Sequence, residues 1–376
     1  MVKLMTPGPT QVPEHVRLAR SRETTNPDLD LDFVEFYHET CQLISRLLGT
    51  KNETLILSGE GILGLEAACA TLTQPGDRVL VLDNGLYGKG FADFVTLYGG
   101  KPVLYTTDYE EAIDPAALEA YLQQDHDFTY ATVVHCDTPS GMGNDIATLC
   151  PLLKKYGILT LVDSVSAMFG EPVHVDQAQI DLLCGGSQKA VSAPPGLSFV
   201  TISPDAWRVM KGRKTPVASF YANLLTFATY YEDKWFPYTM PISDIYGLRA
   251  AMDAIAADSG MLARHASLAA ACRAALQEAG LPLWQKSGFC NTVTVFRVPR
   301  GADADEILRQ VREDFGIMLA GSFGAFAGKV IRIGHMGANA NRTDLIQTMH
   351  ALDQVLQKMG ISLSCSLEEA FRRYLG

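Results

Sequence analysis

Two side chains near the middle of the chain have types and a spacing that can do chemistry. Asp163 ends the apolar run ILTLVDSV (Ile158–Val165), and Lys189 follows 26 residues later in GGSQKAVSAPPG. Burying a carboxylate at the end of an apolar strand is unfavourable unless a cation meets it. A lysine among apolar and turn residues is poorly placed as a solubilising charge. Desolvation lowers the pKa of such an amine and leaves it free to form a Schiff base. Upstream, SGEGILG puts Gly59, Gly61 and Gly64 between a strand and a helix. A glycine turn at a helix N-terminus offers free backbone N–H groups and a positive dipole end to a phosphate. Amine, carboxylate and phosphate cradle together are the inventory of a pyridoxal phosphate site, the aspartate facing a protonated pyridine nitrogen.

The glycine motif by itself leaves two other readings open. With Asp83 lying 24 residues beyond Gly59, it also matches a dinucleotide fingerprint whose acid takes the ribose hydroxyls. A tight strand-to-helix turn that binds nothing would look the same. An NAD-dependent oxidoreductase, however, leaves Asp163 and Lys189 without a task.

Positioning these groups is the work of alternating strands and helices. TLILS (Thr54–Ser58) leads into a helix over 62–72, closed by QPGD. RVLVLD (Arg78–Asp83) and ATVVHCD (Ala131–Asp137) are further strands, followed by a helix over 146–156 and by Ile158–Val165. DLLCGGS (Asp181–Ser187) and LSFVTIS (Leu197–Ser203) complete the series. Near-continuous apolar strands separated by helices predict an α/β fold, with a mostly parallel sheet covered by helices on both faces. Ligands of such sheets bind beyond the carboxyl ends of the strands. After about Gly247 the pattern changes. A long Ala-rich helical region over 248–279, a strand in NTVTVFRVP (Asn291–Pro299), a helix over 304–315, the strand KVIRIG (Lys329–Gly334) and a last helix capped by Thr343 predict a smaller α+β domain. The division is an N-terminal segment over 1–20, a large domain over 21–247 and a small domain over 248–376.

Composition bounds the function. The 376 residues carry 31 basic and 42 acidic side chains, net charge −11, which disfavours nucleic acid as a partner. No apolar run reaches the ~20 residues of a membrane span. MVKLMTPGPTQVPEH lacks an apolar leader core, so no secretory signal is expected. Eight cysteines are scattered without a C-x-x-C pair, which points to a reduced, cytoplasmic compartment and against zinc. DLDLD (Asp28–Asp32) has no oxygen-rich or His-rich companion and reads as a solvated loop, so no metal site is expected.

DSVSAMFG followed by GSQKAVSAPPG resembles the class V aminotransferases of fold type I, nearest to the alanine–glyoxylate and serine–pyruvate branch. The resemblance runs from TPGPT near the N-terminus to KVIRIGHMG. It implies pyridoxal 5′-phosphate as cofactor, Lys189 as the Schiff-base and proton-shuttling lysine, and Asp163 as the partner of the pyridine nitrogen. Gln188 and the backbone of Glu60, Gly61 and Ile62 match phosphate-binding positions. Tyr87 in NGLYGKG matches the aromatic stacked on the cofactor ring, and Thr138 in HCDTPSG a hydroxyl beside cofactor and substrate. Arg332 matches the arginine that grips the substrate carboxylate, a task suited to its fork. Gly8 matches a backbone contact near the substrate. Thr239 in YTMP matches a residue given to the neighbouring subunit's phosphate, so the resemblance implies a homodimer with shared active sites.

Two departures stand out. Phe236 replaces a frequent tyrosine, removing one phosphate hydrogen bond. Glu60 puts a carboxylate beside an expected phosphate, so its side chain must turn away or meet a cation. Other residues keep plainer readings: Tyr87 as a core aromatic, Thr138 as a turn residue before Pro139, Arg332 as one half of a buried ion pair, His135 as a satisfied core histidine. His335 is given no chemistry, and by family analogy the acids of Asp28–Asp32 lie near the substrate entrance.

The expected reaction moves an amino group from a small amino acid such as alanine or serine to glyoxylate or pyruvate. One arginine without a second basic cluster favours monocarboxylic substrates. Ureidoglycine is an alternative donor. A cysteine desulfurase fits less well, because Gln188 stands where those enzymes carry histidine and Cys365 falls after Arg332 rather than before it. A non-catalytic cofactor-binding scaffold would have no use for Lys189, Asp163 and Arg332 in one chain.

Overall fold

The structure is a computed structural model that describes residues 2–376. Seven strands form the central sheet: β1 (Glu53–Ser58), β2 (Arg78–Asp83), β3 (Lys101–Thr106), β4 (Tyr130–Val134), β5 (Leu159–Asp163), β6 (Leu182–Gly186) and β7 (Leu197–Ile202). Their order across the sheet is β1-β7-β6-β5-β4-β2-β3. All are parallel except β7, which runs antiparallel to both neighbours. The fold is therefore α/β with a mostly parallel sheet. Every residue of β4, β5, β6 and β7 is buried, as two-sided coverage by helices requires. The edge strand β3 alternates between half-buried and exposed residues, which is why its apolar signal is weak in the sequence.

Three hydrophobic cores are present, the smallest built around Cys136, Ala167, Cys290, Val295 and Phe326. The first joins the sheet to its helices and takes in Val16, Phe33, Leu248, Ala251 and Met252. The second packs the helices Met261–Glu278, Ala304–Phe315, Arg342–Lys358 and Leu367–Leu375 on the antiparallel pair β8 (Val293–Arg297) and β9 (Val330–Gly334). Met5 belongs to this second core, and Lys3–Leu4 pairs in parallel with Ile317–Met318. The N-terminal segment therefore runs from the second core to the first. On the way Thr10 donates its N–H to the Gln188 carbonyl, 3.0 Å away.

Several local expectations need correction. The Ala-rich region over 248–279 is two helices, Ile242–Ala257 and Met261–Glu278, broken at Asp258-Ser259-Gly260. Thr343 does not cap the penultimate helix. Asn341 does, accepting the Asp344 N–H at 2.8 Å, so Thr343 lies inside the first turn. A further helix, Leu367–Leu375, follows and is capped by Ser366. The strand expected over Ala131–Asp137 leaves the sheet at Val134, and Cys136–Asp137 turns back to pair with Met142–Gly143. Among the described residues no helix is long and apolar enough to cross a membrane.

Candidate active site

The carboxyl ends of β1, β2, β4, β5 and β6 lie along one edge of the sheet, and the expected residues follow from them. A cavity of about 220 Å³ opens there, lined by Glu60, Ile62, Tyr87, Asp163, Gln188 and Lys189, with Leu65, Val165 and Ser166 completing the wall. The sheet thus brings six of the eleven expected site residues to one wall. Gly61 lies directly beneath it. A Cβ there would meet the Val165 methyl groups at 2.8 and 2.9 Å, so only glycine lets the helix Gly61–Leu72 sit on the loop after β5. Gly64 is used for packing, because a Cβ would press on Ser198 and Val200 of β7 at 3.2–3.4 Å.

Lys189 is carried by a compact turn after β6. The Ser187 hydroxyl donates to the Pro194 carbonyl at 2.6 Å, and Thr10 Oγ1 donates to the Lys189 carbonyl at 2.9 Å. The amine itself donates to the Pro7 carbonyl at 2.7 Å. Gly8, at φ +117°, is packed on this side chain: a Cβ would lie 2.4 Å from Nζ. Burial pulls the amine down to about 8, and the neighbouring Arg332 adds to the fall against the opposing pull of Cys136 and Asp163. Asp163 accepts the Val165 N–H at 2.9 Å, and among the described residues no cation pairs with it within 4 Å. Burial pushes this carboxyl up to about 7 despite the Val165 N–H and Lys189. A buried carboxyl with a raised pKa, facing a cavity that also holds an amine with a lowered pKa, suits a pyridinium ring with an aldehyde.

Tyr87 opens the helix Leu86–Leu97 and leans toward Phe323, ring centroids 6.2 Å apart. Burial raises its phenol, which lies beside Thr138. Arg332, on β9, is half-buried, donates from Nε to the Gly321 carbonyl at 2.6 Å and from Nη1 to the Thr138 carbonyl at 3.2 Å. Among the described residues it pairs with no carboxylate, so the buried ion pair weighed from the sequence is absent and the fork stays open to a ligand. Thr138 contributes its carbonyl rather than its hydroxyl to this contact. Thr239 is exposed and outside the cavity lining, while Phe236 is buried among Phe33, Tyr37 and Tyr230.

Glu60 resolves its own puzzle in an unexpected way. Its carboxylate caps the helix from within the cradle: Oε1 accepts the Ile62 N–H at 3.1 Å and Oε2 accepts Gln188 Nε2 at 2.9 Å. Gln188 Oε1 is buried and has no partner. Apart from Lys189 no lysine or arginine lines the cavity. The ring end of a pyridoxal compound fits these residues. The phosphate end does not fit as Glu60 stands, because the Glu60 side chain already occupies its donors.

Asp83 is not at the cavity. Its oxygens accept from Thr106 at 2.9 Å and Tyr109 at 2.5 Å, which removes the acid of the dinucleotide reading. His135 meets Ser164 at 3.1 Å and is held near 4 by burial, as a satisfied core histidine. Asp30 caps the helix Leu31–Leu47 through the Asp32 and Phe33 N–H groups. One site residue escaped the sequence reading. Asp137, fully buried behind Tyr87, accepts the Tyr87 N–H at 2.8 Å. Its signal was the one that singled out Asp163: a carboxylate closing an apolar strand.

The comparisons agree with this geometry. A family model described as aminotransferase class-V matches residues 4–341. A pyridoxamine–pyruvate transaminase of Mesorhizobium japonicum is 34% identical over 96% of this chain and 93% of its own length. An alanine–glyoxylate aminotransferase of Callithrix jacchus is 32% identical, over 94% of this chain and 87% of its own. The crystal structure of pyridoxamine–pyruvate aminotransferase from Mesorhizobium loti superposes with a TM-score of 0.95 at 32% identity, covering 100% of this chain and 97% of that one. The fold is that of these transferases, and the chain is an aminotransferase belonging to the class V family.

Proposed function

We propose that Lys189 carries a vitamin B6 aldehyde and that the enzyme passes an amino group from a small amine donor to a 2-oxo acid such as glyoxylate or pyruvate. One observation carries the reading: a single cavity holds a lysine amine with a lowered pKa and a buried carboxylate lacking a cation. When bound, the aldehyde supplies an imine carbon and a ring that accepts the electron pair released at the donor carbon. Lys189, its pKa lowered by burial, would take the proton from that carbon and deliver it to the former aldehyde carbon of the vitamin, which leaves the nitrogen on the vitamin. Asp163 would hold the ring nitrogen in its protonated form, and Tyr87 would cover the ring. Arg332, its fork aimed by the Gly321 and Thr138 carbonyls, takes the substrate carboxylate. Gly8 leaves room for Lys189. Gln188, Glu60, Gly61 and Ile62 receive the 5′ end of the vitamin. Thr239 serves the neighbouring subunit of a homodimer, and the unpaired cysteines support a cytoplasmic location.

The resemblance assigns pyridoxal 5′-phosphate to this site, a reading that needs Glu60 to swing out of the cradle. Glu60 favours a second reading, in which the vitamin carries no phosphate and pyridoxamine is itself the amino donor. The carboxylate and the orphan Gln188 Oε1 are both acceptors, and they suit a 5′-hydroxyl that donates. Pyridoxamine is also the molecule in the name of the relative at 34% identity. The test is a half-reaction screen followed by absorbance. Alanine, serine and ureidoglycine are offered to the enzyme loaded with pyridoxal phosphate, and pyridoxamine with pyruvate to the unloaded enzyme. Turnover in the first arm alone supports the phosphorylated cofactor; turnover in the second alone supports pyridoxamine. Absence of turnover in both, with Lys189→Ala no different from wild type, overturns the function.

A further inference from the structure

Asp137 is a fully buried carboxylate at the site that the reaction outlined above does not use. It follows β4 and opens a tight hairpin, in which its carbonyl accepts the Gly141 N–H at 2.7 Å and Cys136–Asp137 pairs with Met142–Gly143. One carboxylate oxygen accepts the Tyr87 N–H at 2.8 Å, and the other accepts the Ser140 hydroxyl at 2.6 Å. The carboxylate thus caps the helix Leu86–Leu97 from outside its own segment, where a negative charge meets the positive end of the dipole. Gly85 is required by this contact and not by its backbone: φ is −179°, yet a Cβ would lie 2.4 Å from the Asp137 carboxyl carbon.

The same hairpin also holds the opposite wall of the site. The Thr138 carbonyl accepts from Arg332, and the Pro139 carbonyl accepts the Ser322 hydroxyl at 2.9 Å, next to the Gly321 carbonyl that orients Arg332 Nε. The ring-covering aromatic and the carboxylate-binding fork come from different cores of the molecule. They meet through residues 137–139.

We propose that Asp137 is a positioning residue that fixes Tyr87 and Arg332 in one frame, so that the vitamin ring and the carboxylate of the 2-oxo acid are bound at a set distance from each other. The inference rests on the amino-transfer reading above. Loss of the carboxylate frees the first turn of the helix and lets the hairpin shift, which loosens both grips while leaving Lys189 in place.

Asp137→Ala is expected to raise KM for the 2-oxo acid about 10-fold or more, to lower kcat less than about 3-fold, and to shift the absorbance of bound pyridoxal. Asp137→Asn keeps an acceptor for Tyr87 and is expected within about 3-fold of wild type. A double-mutant cycle of Asp137→Ala with Tyr87→Ala is expected to be strongly non-additive, because the second change has little left to remove. Should Asp137→Ala not fold, Asp137→Asn combined with Ser140→Ala carries the same expected rise in KM. A merely structural role would lower Tm while leaving KM, pyridoxal affinity and absorbance of the folded enzyme at wild-type values, and that result overturns the inference. Wild-type protein that takes up no pyridoxal at Lys189 overturns the amino-transfer reading itself, and this inference with it.

Discussion

The two ends of the cavity are prepared in opposite ways. At the ring end Asp163 is buried with, among the described residues, no cation within 4 Å, and burial drives its carboxyl up to about 7 against the pull of Lys189. At the other end the Glu60 carboxyl group already has its partners in hand, the Ile62 N–H and the Gln188 amide. The first end lacks a positive charge that a ligand can bring. The second has satisfied with its own side chain the donors that a phosphate would use. Both ends are built from the same materials, a strand end and a helix N-terminus, so the difference comes from single residues rather than from the fold. Unsatisfied groups at a site mark what the ligand must supply, and satisfied ones mark what it cannot.

The largest effect is expected at the ring end. Lys189→Ala removes the one side-chain amine that lines the cavity among the described residues and should lower turnover by at least about 10²–10⁴-fold, measured with saturating donor and acceptor. Retained turnover would erase the contrast between the ends.

Asp163→Asn sharpens it by a sign. In the unloaded protein Asp163 has its folded pKa raised from 3.8 to about 7, so the folded chain binds the extra proton between those values. Stability conferred by the protonated form is full below about pH 4 and falls as pH rises to 7. Asn escapes this fall. The unloaded variant should therefore match wild type near pH 4 and exceed it at pH 8, by up to about 4 kcal/mol in denaturant melts. Loaded with pyridoxal, wild type should recover the difference, because the ring nitrogen then supplies the missing charge. An equal gap at both pH values contradicts the account.

Glu60→Gln acts at the other end. Removing the resident charge should tighten pyridoxal 5′-phosphate by about 10-fold and leave pyridoxal nearly unchanged, read by absorbance titration. Unchanged phosphate binding would mean that Glu60 leaves the cradle freely. The smallest effect belongs to Tyr87→Phe, which keeps the ring and loses a phenol. A change under about 3-fold in kcat/KM is expected, against a much larger loss for Tyr87→Ala.

Much of this was legible in the residues. Apolar strands announced β1, β2 and β4 to β7 because both faces are buried, and Asp163 and Lys189 stood out as charges in apolar settings. The alternating edge strand β3 carried a diluted signal and was missed. The region expected to be helical over 248–279 is helical but divided in two, because the turn-forming cluster Asp258-Ser259-Gly260 interrupts the alanine-rich run. Glu60 was recognised as discordant, but its partner Gln188 lies 128 residues away, a pairing only the folded chain reveals. Asp137 carries the same mark as Asp163, a carboxylate closing an apolar run, but its partners, a backbone N–H and the Ser140 hydroxyl, show only in the folded chain.

The central claim is an imine between Lys189 and a vitamin B6 aldehyde. Borohydride reduction of the protein after incubation with pyridoxal and, separately, with pyridoxal 5′-phosphate, followed by peptide mass spectrometry, tests it directly. The account predicts one stoichiometric pyridoxyl adduct, on the peptide holding Lys189, lost in Lys189→Ala and diminished by a 2-oxo acid's amino counterpart. Adducts scattered over surface lysines, or none at position 189 with either aldehyde, would contradict it.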